Sequence, residues 1–167
     1  ASHQAYRTSR EMLQKSISQV RHYSRRMLAH PRNSHELIES IRQILSQTEQ
    51  VYDIRSYLSL KGKLEFKHDD VPYHLLHIIR ESITNSIKHG KSSIIRISLE
   101  RKNEELVIQI TNDGIPISNE MHRKSGLGLQ IMQMRTDLIG GSLNIYPGKS
   151  RGTVYHLSLP FPGEDEE

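Results

Sequence analysis

Residues 125–132 read SGLGLQIM, and the two glycines, Gly126 and Gly128, stand directly ahead of a helical pattern. Leu129, Ile131, Met132, Met134 and Leu138 supply one apolar face, and Gly140-Gly141 supplies a stop. The glycines therefore sit at a helix N-terminus. Backbone N–H groups point outward unpaired there, and a chain without side chains can approach an anion such as phosphate. A tight loop entering a helix has the same two glycines, so the surrounding sequence must decide between the two readings.

Upstream, RESITNSIKHG (Arg80 to Gly90) lies on a helical pattern running from about Tyr73 to Lys88. Glu81, Asn85 and Lys88 are four and three residues apart and share one face, while Ile79, Ile83 and Ile87 form an apolar stripe opposite. Such a face is either an ordinary solvated one or a holder for a magnesium–phosphate group. In the second case Asn85 offers an oxygen to the metal, Lys88 a charge to phosphate and Glu81 a proton acceptor. Between the two helices, Ile94 to Leu99 and Leu106 to Thr111 read as strands joined by the polar turn Arg101-Lys102-Asn103-Glu104. The second strand runs into TNDGIPI (Thr111 to Ile117), which is a turn or a contact for a planar base. Leu143 to Tyr146 and Val154 to Leu159 follow as two more strands, and Leu64 with Phe66 predicts a short strand ahead of the first helix. The order of strand, helix, two strands, helix, two strands predicts an α+β fold, a mixed sheet with helices on one face.

The first third of the chain differs. Leu13, Ile17, Val20, Met27 and Leu28 recur at helical spacing from about residue 8 to 29, and His30-Pro31-Arg32-Asn33 breaks the pattern. A second helix is predicted along Leu37, Ile41, Ile44, Thr48, Val51 and Leu58, with Asn33 or Ser34 as N-cap. These read as an antiparallel hairpin whose narrow stripes need a second copy, giving a homodimer through a four-helix bundle. The expected domains are 1–60 (hairpin, dimerisation and phosphotransfer-like), 61–162 (the α+β domain) and 163–167 (an acidic tail).

Composition narrows the function classes. The 167 residues carry a net charge of +4, no cysteine and no tryptophan. Without cysteine there is no disulfide framework and no thiolate zinc site, as suits a reducing compartment. Basic residues alternate with Glu and Gln along helical faces, without regularly spaced aromatics, so no nucleic-acid partner is expected. No apolar run approaches the roughly 20 residues of a membrane span, and no signal peptide opens the chain.

Taken in order, E-x-x-x-N on a helix, N-D-G after a strand, G-L-G-L opening a helix and R-G-T before the last strand resemble one known pattern. It is the Bergerat-type α/β sandwich that binds ATP in sensor histidine kinases, type II topoisomerases, MutL proteins and ninety-kilodalton heat-shock chaperones, the GHKL superfamily. HLLHIIRESITNSIKHGKSS together with GLGLQIMQMRTDLIGGSL is similar to the short-lid histidine kinases of the nitrate-sensor and lipid-thermosensor group, which pair with LuxR-type response regulators. Only eight residues, Ser118 to Ser125, separate Ile117 from Gly126, a brevity typical of that group.

The resemblance implies roles by position. Asn85 would chelate Mg2+ on the phosphates of ATP, Glu81 would act as base or orient water, and Lys88 with His89 would lie near the phosphates. Gly126, Leu127 and Gly128 would let the backbone wrap the triphosphate, and Thr153 would lie beside adenine. The adenine-reading acid of the family stands two residues before Gly114. Here that position is Asn112, which predicts weakened nucleotide binding, with Asp113 as the alternative reader. The phosphoacceptor box matches best at REMLQKSIS, where Arg10 holds the place of the histidine; His3 is an alternative acceptor, and His35 reads as a solvated helix-start residue.

The resemblance thus implies the cytoplasmic core of a sensor histidine kinase whose membrane portions lie outside this chain. It would transfer the γ-phosphate to a histidine and then to a response regulator. Arg10 favours a different class, a non-catalytic module that uses ATP as a conformational switch; a serine kinase of the anti-sigma-factor type is a third.

Overall fold

The computed structural model describes residues 30–118 and 126–161. Helix α1 (Ser34–Tyr52) begins at Asn33, whose side-chain oxygen accepts the Glu36 N–H at 2.9 Å, while the Glu36 carboxylate takes the Arg32 N–H at 2.8 Å. One orphan donor of the first turn and one backbone donor just ahead of the cap are thereby satisfied. The helix stops at Asp53, which is left-handed at φ 51° and donates its N–H to Glu49 O. Strand β1 (Arg55–Lys61) follows.

The periodicity through Leu58 had placed a helix over β1, and that expectation is corrected. Val51 is exposed, the backbone turns at Asp53, and the Glu49 carboxylate captures both the N–H and the hydroxyl of Ser56, at 2.7 and 2.8 Å, in the first turn of the strand register. The short strand predicted at Leu64 and Phe66 is not one. Gly62, at φ +85°, leads the chain out of β1. Leu64 is buried and Phe66 packs edge-on against Phe161 with centroids 5.3 Å apart. Their alternation marks burial without a hydrogen-bonded ladder.

The remaining elements are α2 (Val71–Lys88), β2 (Ile94–Lys102), β3 (Glu105–Asn112), α3 (Leu127–Leu138), β4 (Ser142–Pro147) and β5 (Thr153–Pro160). The order in the sheet is β1-β2-β3-β5-β4, with β1 parallel to β2 through the α2 crossover and the other pairs antiparallel. Alternation decides the faces. Ile95, Ile97 and Leu99 of β2, Leu106, Ile108 and Ile110 of β3, and Tyr155, Leu157 and Leu159 of β5 are buried under the helices, while Arg96, Gln109 and His156 point the other way. From α2 come Leu75, Leu76, Ile78, Ile79 and Ile83. Each such side chain contributes about 1.5–3 kcal/mol of burial. This is the expected α+β sandwich, with a mixed sheet and helices on one face.

The domain boundary lies elsewhere than expected. The chain divides between His30 and Pro31, and Pro31–Glu167 forms one compact unit. The expected junction at 60/61 falls inside it, at the end of a sheet strand. α1 packs on α2 and β1 and buries Leu37, Ile41, Ile44, Leu45 and Thr48, so the stripe assigned to a dimer bundle is used within this unit. The other half of the hairpin, with His3 and Arg10, lies outside the described residues, as does the acidic tail. His35 is exposed on the first turn of α1, as expected of a solvated residue.

Candidate functional site

One cavity of about 380 Å³ opens between α2, the start of α3 and the ends of β3 and β5. Asn85 reaches it from α2 and His89 from the C-cap of that helix, four residues apart, with Glu81 four residues before Asn85 on the same side. Asn112 closes it from the last position of β3, and Thr153 and Tyr155 from β5. Gly126, the N-cap of α3, stands at its rim, and Ile115, Ile117 and Leu129 add apolar wall. Five of the residues singled out in the sequence, Asn85, His89, Asn112, Gly126 and Thr153, thus line one cavity although they span 69 residues of chain, 85 to 153.

The base of the cavity is a hydrogen-bonded lattice. Asn112 is buried, and its Oδ1 accepts N–H groups from Gly114 at 3.0 Å and Thr153 at 3.3 Å. Its Nδ2 donates to Ser86 Oγ at 2.9 Å, and the Ser86 hydroxyl donates in turn to Ser82 O at 2.8 Å. Thr153 Oγ1 accepts the Ile117 N–H at 3.0 Å and so holds the segment after β3 against β5. Gly114 permits the close approach beneath: a side chain there would collide with the carbonyl of Gly90, which accepts the Ile115 N–H at 2.6 Å.

Asp113 takes no part in the cavity lining. Its carboxylate faces β2 and accepts the N–H groups of Ser93 and Ile94, each at 2.8 Å. Burial pushes the carboxyl up, but those backbone donors and the nearby Arg151 charge outweigh it and hold it below the usual range. Asp113 fastens the start of β2, and of the two residues only Asn112 lines the cavity.

At the other end, α3 starts without a side-chain cap, which leaves its first backbone N–H groups for solvent or an anion. Gly128 lies directly against the Glu81 carboxylate, and any side chain on it would strike Glu81 Oε1. Glu81 is half-buried between α2 and this turn. Leu127 is 72% exposed and Lys88 is exposed; neither lines the cavity.

Tyr155 and Ser86 escaped the sequence reading. Tyr155 is 4% exposed, and burial, with the Glu81 charge adding to it, pushes its hydroxyl up to about 12, so it stays neutral. The signal was present, since period two along β5 places Tyr155 on the face of Thr153. Ser86 follows Asn85 on α2, and nothing in a helical pattern distinguishes it.

Residues 70–163 match the family model described as the histidine kinase-, DNA gyrase B-, and HSP90-like ATPase. The chain is 35% identical over 88 residues to the sensor protein NarQ homolog of Haemophilus influenzae, covering 52% of this chain and 16% of that protein. It is 30% identical over 95 residues to the sensor histidine kinase LiaS of Bacillus subtilis, covering 56% of this chain and 26% of LiaS. The chain therefore spans about a quarter or less of those relatives. Its fold is shared with the ATP binding domain of PrrB from Mycobacterium tuberculosis, at a TM-score of 0.62 and 19% identity over 75% of this chain and 93% of that one. The family match shows that the chain belongs to the histidine kinase-, DNA gyrase B- and HSP90-like ATPases, and within that family its ATP-binding domain is similar to those of two-component sensor histidine kinases.

Proposed function

We propose that this cavity binds Mg-ATP, with the base between Asn112 and Thr153 and the triphosphate between Asn85 and the start of α3. The observation that carries the reading is the convergence of Asn85, Asn112, Thr153 and Gly126 on one cavity of about 380 Å³. The donor set suits magnesium in a particular way. Among the described residues no group of three His, Cys, Asp or Glu could hold a metal alone. Mg2+ commonly takes one or two protein oxygens and completes its octahedron with phosphate and water, and the Asn85 amide supplies one such oxygen. Bound there, the ion would neutralise phosphate charge.

The chain's own groups then divide the work. Asn112 and Thr153 position the base, and the α3 amides at Leu127 and Gly128 donate to phosphate oxygens. His89 adds a donor, and exposed Lys88 adds long-range charge. Glu81 is placed to accept a proton from an incoming nucleophile or to orient water. In the whole protein the γ-phosphate passes to a histidine and then to an aspartate of a response regulator, of the LuxR-type output class if the short segment after Ile117 is a guide. This core would work in the cytoplasm, with membrane attachment through segments outside this chain; among the described residues no helix is long and apolar enough to cross a membrane. Dimerisation falls to parts of the protein other than the buried stripe of α1. Residues 31–162 form the nucleotide domain, with the short acidic tail after it.

A second reading rests on Arg10 at the place of the acceptor histidine. There the ATP site would be a switch in a non-catalytic module. Incubating the chain with ATP labelled at the γ-phosphate, then exposing the product to acid, separates the two. Acid-labile label supports the kinase, acid-stable label a serine kinase, and ATP binding without label the module. Arg10→His should create or strongly raise acid-labile label if the register of the acceptor box is right; label lost on His3→Ala would assign the acceptor to His3.

A further inference from the structure

Tyr155 carries a hydroxyl for which the nucleotide reading has no task. Period two along β5 puts its ring on the buried face, between Ile110 of β3 and Ile145 of β4, and its side chain forms part of the cavity wall. Burying a hydroxyl costs free energy unless it is hydrogen-bonded. Here it is: the Asn85 and Ser86 side chains hydrogen-bond to the phenol, and the Glu81 carboxylate is near enough for its charge to be felt. An amide can meet a phenol either way round, with Oδ1 accepting or Nδ2 donating. Two observations fix the choice for Asn85. Glu81 stands one turn earlier on the same side of α2, so an Oδ1 turned toward Tyr155 would face a carboxylate, whereas Nδ2 is drawn to it. Burial and the Glu81 charge push the phenol up, and the Asn85 bond opposes them, as a proton donated to the phenol oxygen does. With Nδ2 spent on Tyr155, Oδ1 is the end left for the cavity.

We infer that Tyr155 is a positioning residue: by accepting the Nδ2 proton it holds the Asn85 amide with Oδ1 turned toward the space proposed for the phosphates and Mg2+, and to that extent it rests on the nucleotide reading above. An unheld amide would spend part of its time the other way round, presenting N–H groups to the cation. Ser86 extends the connection, since it also takes the Asn112 Nδ2 at 2.9 Å. One run of side chains thus ties the Asn85 amide to the lattice around Asn112.

Two measurements on the whole chain test it. In the first, ATP is titrated calorimetrically, in magnesium and in EDTA, into the unmodified chain and into Tyr155→Phe, which keeps the ring and loses the oxygen. The variant should bind ATP about fivefold more weakly in magnesium, the worth of one hydrogen bond, and equally well in EDTA. Equal weakening in both conditions, the mark of a structural role or of direct contact with the nucleotide, overturns the inference and leaves the site reading standing, as does no weakening at all. Failure of the unmodified chain to bind ATP in magnesium overturns both. In the second, the side-chain amide protons of Asn85 are followed by NMR without nucleotide. One of them should exchange with water about tenfold more slowly than those of exposed Asn103, and the difference should vanish in Tyr155→Phe. Asn85 protons that exchange as fast as those of Asn103 overturn the inference. Should Tyr155→Phe not fold, this comparison on the unmodified chain decides alone.

Discussion

The two ends of the cavity are built by opposite means. At the end proposed for the base, Asn112 and Thr153 come from adjacent strands and Ser86 from the helix packed on them, and every polar atom discussed is bonded within the protein. At the end proposed for the phosphates, Asn85 reaches into the cavity from α2, α3 begins without a side-chain cap, and Glu81 is separated from the α3 backbone only by the missing side chain of Gly128. Strand pairing preorganises the first end, while helix termini and one glycine leave donors unspent at the second. Shape at one end and free hydrogen-bonding capacity at the other is what a ligand with a planar base and a charged tail requires.

The contrast predicts that substitutions at the phosphate end change affinity and leave the fold alone. Asn85→Ala should remove the magnesium-dependent part of ATP binding, a loss of about 1.5–3 kcal/mol if its oxygen contacts a charged group. Its half-buried place on the polar side of α2 should keep stability within about 0.5 kcal/mol. Titration with and without magnesium checks the first figure and thermal denaturation the second. Equal affinity in both conditions for both chains would break the contrast.

Beside the base end the effect should invert. Asp113→Ala removes the acceptor of two N–H groups, at Ser93 and Ile94, and should cost about 2 kcal/mol of stability by urea denaturation with ATP affinity nearly unchanged. The same bonds set a pH dependence. The Asp113 carboxyl lies lower in the folded chain than in the unfolded one, so its contribution is present above the ordinary carboxylate pKa and is lost as pH falls through the folded value. The alanine variant should lose less stability on acidification than the unmodified chain.

The smallest expected effect compares the two glycines that opened the sequence. A side chain at Gly126 meets open space, so Gly126→Ala should change stability by less than about 0.5 kcal/mol. At Gly128 it meets the end of the Glu81 side chain, which can swing aside. Gly128→Ala should therefore cost only about 1 kcal/mol of stability while lowering phosphotransfer more than ATP affinity, because Glu81 is displaced. Equal behaviour of the two variants in both assays would show that Glu81 is not positioned by that approach.

Much of this was legible from the chain. The stripe Ile79-Ile83 places α2, and alternation of Leu106, Ile108 and Ile110 places β3. That alternation, extended by two, also separates Asn112, on the buried face, from Asp113, which lies past the end of the strand. The error at α1 has a physical origin too. Threes and fours through Leu37, Ile41, Ile44 and Thr48 report that a stripe is buried, but not by what, and α2 with β1 serves as well as a partner chain. The helix end at Asp53 carries no glycine or proline to mark it, and a left-handed aspartate is invisible to periodicity. The lattice around Ser86 depends on which hydroxyl meets which amide across 26 residues, and spacing along the chain does not encode that.

One cavity is proposed to hold the whole nucleotide. Titrating the isotope-labelled chain with magnesium and a non-hydrolysable ATP analogue, while following backbone amides by NMR, tests it most directly. Resonances of Gly114, Gly126, Leu127, Gly128 and Thr153 should shift together along one saturation curve, and those of the open sheet face, Arg96, Gln109 and His156, should stay in place. Shifts confined to the sheet face, or phosphate-end and base-end resonances saturating at different concentrations, would contradict it.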